Sequence, residues 1–157
     1  MGIYLNPGNS GFEQICRGEY IDMTGLIGFI NQRIGGPDKL TCISRPRRFG
    51  KSYAAMMLCA YYDCSCDSQA LFDKKKITRT KKYRIHLNQY NVIYLDITGF
   101  ISSMKKQLKP LCEVPMMIED AIQKDLLAVI PDLNQEDRLI DNLLQYIEKM
   151  DGRRFIF

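Results

Sequence analysis

The chain has 157 residues, of which 46% are hydrophobic and 25% charged, so its composition excludes a disordered or fibrous protein and fits one globular domain. The net charge of +4 allows a polyanionic partner without requiring one. No apolar run approaches the roughly 20 residues that cross a bilayer. The first residues lack a basic region followed by an apolar stretch, so we expect a cytoplasmic protein without a secretory signal.

The N-terminal part of the chain, residues 1–38, predicts a loop followed by a short helix. Apolar residues recur near helical spacing between Ile21 and Ile34. Asp22 and Thr24 are candidate N-caps for this helix, and Gly35-Gly36-Pro37 is expected to stop it.

The middle of the chain alternates predicted strands and helices. KLTCIS, residues 39–44, predicts a short buried strand between two turn signals. KSYAAMMLCAYYD, residues 51–63, predicts a helix that is apolar almost all round and is therefore covered on both sides. Residues 74–91 are polar, basic and aperiodic, which indicates an excursion between core elements. VIYLDITGF, residues 92–100, is the clearest strand pattern.

The last third of the chain predicts two helices and a final strand. A linker at residues 108–115 leads into helical patterns at residues 116–130 and 135–150, and Asp132 is a candidate cap for the second. RRFIF, residues 153–157, predicts another strand. The alternating order favours an α/β fold with a largely parallel sheet flanked by helices.

One loop in the chain carries the clearest chemical signal. SRPRRFGKS, residues 44–52, which we call the arginine loop, ends in the Gly-Lys-Ser of a phosphate-binding loop. In such a loop, backbone N–H groups at a helix N-terminus surround the phosphates, the lysine reaches the β- and γ-phosphates, and the hydroxyl binds Mg²⁺. Lys51 and Ser52 occupy those two positions. Gly50 stands where a side chain would collide with phosphate.

The front half of the arginine loop departs from this pattern. Arg45 stands in the place of the first glycine, which tolerates a backbone conformation that is costly for arginine. The alternative is therefore a basic surface turn that ends in Gly-Lys-Ser by chance. Arg47 and Arg48 are interpreted either as a clamp for phosphate or a partner, or as ion-pair partners of acids such as Glu13 or Asp22.

The arginine loop also carries a family resemblance. ISRPRRFGKS, together with YIDMTGLI at residues 20–27, resembles the predicted AAA-ATPase family of bacterial proteins, which carry an RPRRFGKT/S loop after a YVDKT-like segment. VIYLDIT fits the next strand of that family, so the resemblance covers nearly the whole chain. It implies a single P-loop NTPase-like domain over residues 1–157, with a helical lead-in at 1–38 and the P-loop core at 39–157.

The resemblance also implies the ligands and their site. ATP and Mg²⁺ are the expected cofactors, and Ser52 is the expected Mg²⁺ ligand. Many AAA-type ATPases work as rings, so an oligomer is a further possibility. The predicted nucleotide-binding residues are Arg45, Pro46, Arg47, Arg48, Phe49, Gly50, Lys51 and Ser52.

Two departures from the family pattern affect the expected activity. Met23 replaces the lysine of the YVDKT segment. The family's Walker B strand is an apolar run that ends in an Asp-Glu pair, and nothing inside the chain matches it. We interpret residues 153–157 as the start of that strand, so we expect a truncated domain that is incomplete at its C-terminus. Asp96 is a weaker candidate for the missing carboxylate, because Ile97 follows it in place of glutamate. The favoured alternative for Asp96 is a structural role, or one behind the metal ligands, at the end of the strand.

Residues 74–84, KKKITRTKKYR, which we call the basic segment, contain seven basic residues and no acid. One interpretation is a nucleic-acid contact, with Tyr83 as a stacking ring. The other is a solvated loop. The candidate contact residues are Lys74, Lys75, Lys76, Arg79, Lys81, Lys82 and Arg84.

Cysteine and histidine give no strong signal for metal binding or catalysis. The six cysteines are expected to be reduced thiols. Cys59, Cys64 and Cys66 have poor spacing for zinc and no histidine nearby. His86 is the single histidine, and no nucleophile motif lies near it.

The sequence therefore favours the ATP-binding P-loop domain of an AAA-like ATPase. Because the Walker B acids are missing from the chain, we expect weak nucleotide binding and poor hydrolysis. Some members of the resembling family continue into a nuclease-like C-terminal domain that these residues do not include, so nuclease activity is not expected. The alternative is a non-catalytic basic module that binds nucleic acid or a partner protein.

Overall fold

The computed structural model describes residues 3–108, 110–150 and 152–157. Its contacts group the chain into two compact units. We call Gly8–Val92 the central unit, and Met1–Pro7 with Ile93–Phe157 the terminal unit. The organisation expected from the sequence, a lead-in at residues 1–38 and a core at 39–157, stays a prediction.

The central unit contains helices of different lengths and one short strand. Its elements are α1 (Ser10–Arg17), α2 (Gly25–Asn31), α3 (Lys51–Tyr62), α4 (Gln69–Phe72), a 3₁₀ helix (Lys76–Arg79) and β1 (Asn91–Val92). The helix predicted after the arginine loop is confirmed as α3. α1 lies in a region that the sequence predicted as loop, because its apolar residues are too few to reveal a pattern.

The terminal unit contains three longer helices and the second strand. Its elements are α5 (Ile97–Lys106), a 3₁₀ helix (Leu111–Glu113), α6 (Val114–Val129), α7 (Leu139–Lys149) and β2 (Phe155–Ile156). The predicted helix at residues 116–130 and the predicted final strand are both confirmed. α7 begins at Leu139 rather than near Gln135, so the prediction that Asp132 caps it was wrong. A turn in which the N–H of Asp137 donates to Asn134 precedes the helix instead.

The α/β class expected from the sequence is confirmed, but the β structure is small. The described residues contain one small parallel sheet of two strands. Within the terminal unit, the N–H of Ile93 donates to the carbonyl of Ile156 at 2.8 Å. Leu5 also forms an isolated antiparallel bridge with Ile93. The larger parallel sheet flanked by helices is therefore present only in this reduced form within the described residues.

The buried strand predicted at residues 39–44 was wrong. This segment is irregular, and the side chain of Leu40 is 90% exposed. Its backbone forms no hydrogen bond with any other backbone group in the described part of the chain. A buried strand needs a neighbouring strand to satisfy its N–H and C=O groups. Without one, the segment remains in contact with solvent.

The strand predicted at residues 92–100 was only partly correct. Regular pairing ends at Val92, and Ile97 begins helix α5. The change is caused by Asp96, whose carboxylate accepts hydrogen bonds from the N–H groups of Thr98 at 3.0 Å and Gly99 at 3.3 Å. These bonds satisfy N–H groups that a helix N-terminus leaves unpaired. Asp96 therefore has a structural role as the N-cap of α5.

Helix α3 is held in the central unit by tyrosines at its C-terminal end. Tyr61 and Tyr62 are buried, as expected from the sequence, and both hydroxyls bond to the side chain of Asn31. The ring of Tyr61 also packs edge-on against Phe72, with centroids 5.4 Å apart. Burial raises the pKa of both hydroxyls, so they remain neutral donors in this network.

Asp63 ends helix α3 and is fully buried. Its carboxylate accepts hydrogen bonds from the N–H of Gly8 at 2.6 Å and from the N–H of Ser65 at 2.8 Å. Its backbone carbonyl accepts a third, from the side-chain amide of Asn88 at 2.6 Å. The residue thereby joins three separate stretches of the central unit at the end of α3.

The terminal unit has its own apolar core between α6 and α7. Leu126 is fully buried on α6, and Leu143 and Tyr146 face it from α7. Tyr4 and Leu5 join this core through their N–H groups, which donate to the carboxylate of Asp125. None of the helices in the described residues is both long and apolar enough to cross a membrane.

Candidate nucleotide-binding site

Where the arginine loop leads into helix α3, the backbone φ angles of successive residues alternate in sign. Gly50 is the N-cap of α3, with φ 73° and ψ 19°, and Arg48 has φ 67°, whereas Phe49 between them has a negative φ. Left-handed backbone costs glycine little, which explains Gly50. Alternation of this kind turns successive N–H groups toward one side, as in anion-binding nests.

The N–H groups of this turn have no acceptor among the residues that the structure describes. From Arg47 to Tyr53, no backbone N–H is bonded to any group in the described part of the chain, and pairing resumes where Ala54 donates to the carbonyl of Gly50 at 2.9 Å. A helix N-terminus always leaves its first N–H groups unpaired, and here the preceding loop extends that run. The positive end of the helix dipole adds to the attraction for an anion.

Lys51 folds back over the arginine loop. Its ammonium group donates to the carbonyl of Arg45 at 2.5 Å and to the carbonyl of Pro46 at 3.0 Å. These bonds hold the charge of Lys51 beside the unpaired N–H groups. The contact of Lys51 with the β- and γ-phosphates stays a prediction.

Arg47 and Arg48 form no ion pair with any described residue. The sequence offered Glu13 and Asp22 as possible partners, and that alternative was wrong. Glu13 instead pairs with Arg17 at 2.9 Å, one helical turn later on α1. Asp22 instead accepts hydrogen bonds from Thr24 and from the N–H of Lys76.

An open depression of about 480 Å³ lies at the start of α3. Three of the residues that line it are cationic and none is acidic, so its electrostatic character favours an anion. The residues that line it are Arg47, Arg48, Gly50, Lys51, Ser52 and Tyr53. The hydroxyl of Ser52 is exposed and has no hydrogen-bond partner among the described residues, so it is available to a metal ion.

A family comparison covers this site and most of the chain. The family model described as Predicted AAA-ATPase matches residues 7–156. The chain belongs to this family. Membership in the predicted AAA-ATPase family confirms the resemblance seen in the sequence, and it implies nucleotide binding, usually with Mg²⁺. Comparisons with curated proteins and with solved structures find no match, so the P-loop NTPase architecture is supported by the family alone.

The backbone strain of this family loop lies at Arg48 and not at Arg45. The sequence placed the conformational penalty at Arg45, where the usual pattern has its first glycine. Arg45 does not have a positive φ, whereas Arg48 does. For a residue with a side chain, left-handed backbone costs about 1–2 kcal/mol. No sequence pattern marked Arg48, because its conformation depends on the whole turn.

Substitution of Arg48 provides a test of this strain. We expect Arg48→Gly to be more stable than Arg48→Ala by about 0.5–1 kcal/mol, because glycine avoids the left-handed penalty. Both variants lose the same charge, so their difference reports the backbone alone. Urea unfolding measures it. At Arg47, whose φ is negative, alanine should be at least as stable as glycine. If alanine is also at least as stable as glycine at position 48, the assignment of backbone strain to Arg48 is wrong.

Met23 lies against the arginine loop. Its sulfur would be 3.5 Å from a Cβ atom added at Gly50, and it is 4.0 Å from the guanidinium of Arg45. Met23 occupies the position of the lysine in the YVDKT-like segment that the resemblance identified. The family position therefore borders the turn at Gly50, and in this chain it presents a thioether in place of a charge.

Asp22, next to Met23, joins the YIDMT stretch to the basic segment. One oxygen accepts from the N–H and hydroxyl of Thr24, and the other accepts from the N–H of Lys76 at 2.8 Å. Thr24 in turn accepts from the N–H of Ile77 at 3.1 Å. Partial burial raises the pKa of Asp22, but the hydrogen bonds from Thr24 and Lys76 outweigh it, so the pKa lies below its ordinary value of 3.8.

The lowered pKa of Asp22 makes stability depend on pH. Its stabilisation is complete above the ordinary pKa of 3.8 and is lost as the pH falls through the lower, folded-state pKa. We therefore expect Asp22→Asn to destabilise the protein by about 0.5–1 kcal/mol at pH 7, because solvent screens this partly exposed charge, with the difference shrinking below about pH 4. Unfolding free energies between pH 3 and 7 measure it. Asp38→Asn is the control, because Asp38 is exposed. If the unfolding free energies of Asp22→Asn and the original protein differ by the same amount at every pH from about 3 to 7, the charge of Asp22 does not stabilise the fold.

The basic segment is anchored at some positions and exposed at others. The ammonium of Lys75 lies 4.5 Å from the ring centroid of Tyr20, and Ile77 is buried. Tyr83 is 6% exposed, and its hydroxyl donates to Asp73 at 3.2 Å, so its predicted role as a stacking ring for nucleic acid was wrong. The other six basic side chains are exposed. Phosphate contact through them stays a prediction.

The remaining candidates lie outside the arginine loop. Asp96 belongs to the terminal unit, and its coordination of Mg²⁺ stays a prediction. His86 contacts the hydroxyl of Tyr90 at 2.7 Å, and burial lowers its pKa. Cys59 is buried, and burial raises its pKa to about 12, so it remains a protonated thiol. The described residues contain no group of three or more side chains placed to hold a metal ion.

Proposed function

We propose that this chain binds ATP with Mg²⁺ through the arginine loop. The observation that carries the proposal is the run of unpaired N–H groups from Arg47 to Tyr53, with the ammonium of Lys51 held beside it. Membership in the predicted AAA-ATPase family supports the same ligand. Three cationic side chains that form no ion pair with the described residues, and a helix N-terminus, border one open depression, which favours a polyphosphate over a neutral ligand.

The residues present fit the two parts of this ligand. The N–H groups of the turn would donate to phosphate oxygens, and Lys51 would exchange its carbonyl bonds for a charged one to the β- or γ-phosphate. The unpartnered hydroxyl of Ser52 would contribute one Mg²⁺ ligand. When bound, Mg²⁺ neutralises part of the phosphate charge. Arg47 and Arg48 would supply further charge at the rim of the depression.

We propose that this chain binds ATP but hydrolyses it slowly. Phosphoryl transfer needs a carboxylate to complete the metal site and a group that positions water. The sequence contains no apolar strand that ends in an Asp-Glu pair. The carboxylate of Asp96 already caps α5, so its use in the metal site would compete with two hydrogen bonds.

A series of adenine nucleotides tests the proposed site. We expect the affinity to rise about tenfold with each phosphate from AMP to ADP to ATP, because each adds charge-assisted contacts to the turn. Isothermal titration calorimetry at constant ionic strength measures the three dissociation constants. The same titrations at higher salt should narrow the differences between them. Equal affinities for AMP and ATP would contradict binding through the phosphates.

A further inference from the structure

Tyr53 lies beside the phosphate-binding turn and has no structural role that accounts for it. It directly follows Ser52 in the first turn of α3, and its side chain is 52% exposed. It lines the same depression as Gly50 and Lys51. An aromatic ring exposed to this degree leaves a large apolar surface in water.

The other tyrosines of the central unit all pack against a second aromatic ring. These are Tyr20, Tyr61, Tyr62, Tyr83 and Tyr90. Tyr53 differs, because neither its ring nor its hydroxyl has an aromatic or hydrogen-bond partner in the part of the chain that the structure describes. The ring is therefore available to a ligand.

We propose that Tyr53 stacks against the base of the nucleotide that the arginine loop holds. This proposal rests on the proposed function and adds a base-binding residue to it. With phosphates at the N–H groups of Gly50 to Ser52, the base of the same nucleotide would lie close to the depression, which Tyr53 lines together with Gly50, Lys51 and Ser52. A volume of about 480 Å³ is in the range of pockets that hold ligands of this size.

The chemistry of stacking also predicts which bases are preferred. An aromatic face binds any base, and the contact grows with the area of ring overlap. A purine nucleotide should therefore bind better than a pyrimidine nucleotide with the same number of phosphates. Because the contact uses the ring and not the hydroxyl, phenylalanine should replace tyrosine without loss.

The test compares ATP with inorganic tripolyphosphate, which has the phosphates but no base. We expect Tyr53→Ala to weaken ATP binding about 5- to 100-fold and to leave tripolyphosphate binding unchanged. Tyr53→Phe should bind ATP within about twofold of the original protein. Phe29→Ala removes an exposed ring on α2, away from the depression, and should change neither affinity. Circular dichroism checks that each variant is folded.

The outcomes separate this proposal from the function on which it rests. An equal loss of ATP and tripolyphosphate affinity in Tyr53→Ala, or no loss of either, overturns the stacking role and leaves phosphate binding in place. If tripolyphosphate does not compete with ATP in the original protein, the phosphate site is wrong. If the original protein binds no ATP, both proposals are overturned.

Discussion

Replacement of Lys51 by alanine should lower the affinity for ATP about 10- to 100-fold. The ammonium lies beside the unpaired N–H groups, where it bonds to the carbonyls of Arg45 and Pro46. A charge-assisted hydrogen bond contributes about 1.5–3 kcal/mol, and 1.4 kcal/mol corresponds to tenfold in affinity. Isothermal titration calorimetry with Mg-ATP measures the change. Because Lys51 is exposed, the variant should fold normally.

The matched control for Lys51 is a lysine that the loop does not use. Lys39 is exposed, lies shortly before the arginine loop, and forms no hydrogen bond or ion pair with the described residues. Lys39→Ala removes the same net charge and should change ATP affinity less than about twofold. If both variants lose affinity equally, ATP responds to overall charge, and the assignment of Lys51 to the phosphates is wrong.

Replacement of Asp63 by alanine should cause the largest loss of stability, about 3 kcal/mol. The carboxylate is fully buried and accepts hydrogen bonds from the N–H groups of Gly8 and Ser65. Its removal leaves the N–H of Gly8, itself buried, without an acceptor, and such a group costs about 1–3 kcal/mol or more when its partner was charged. The melting temperature should fall by about 6–12 °C.

A nearby aspartate provides the control for this effect. Asp67 is exposed, and its carboxylate accepts one hydrogen bond, from the N–H of Gln69 at 2.9 Å. Asp67→Ala should cost less than about 1 kcal/mol, since water can replace a lost partner at the surface. Thermal unfolding by circular dichroism compares the two variants. Similar melting temperatures would contradict the anchoring role of Asp63.

The sequence predicted those parts of the site that depend on local signals. The apolar run from Lys51 to Tyr62 indicates a helix, and Gly50 before it is suited to the left-handed turn that begins α3. The motif RPRRFGKS also led to the correct family. Local composition was sufficient because each of these features is formed within a few consecutive residues.

The failed predictions depend on distant contacts. The pattern of residues 39–44 fits a strand, but a strand forms only where another strand pairs with it, and the sequence contains no signal for that partner. The strand predicted from Val92 gives way to helix α5, because the carboxylate of Asp96 accepts hydrogen bonds from the N–H groups of Thr98 and Gly99. A short polar residue before Thr98-Gly99 is also a cap signal, but the strong apolar pattern before it favours a strand.

Two roles at the site could not have been found from the sequence. Asp22 accepts a hydrogen bond from the N–H of Lys76 in the basic segment, far along the chain, and nothing in the order of residues reveals that contact. The left-handed conformation of Arg48 is a property of the folded turn. The exposure of Tyr53 was not predicted either, because an aromatic residue in an apolar helix suggests core packing.

The central claim is that the backbone N–H groups of the arginine loop hold the phosphates of ATP. The most direct test is a titration of ¹⁵N-labelled protein with Mg-ATP, followed by the amide chemical shifts of residues 48–52. We predict that these amides shift more than those of the basic segment, with one dissociation constant that agrees with calorimetry. Saturable ATP binding that leaves the amides of Gly50, Lys51 and Ser52 unshifted would contradict the account.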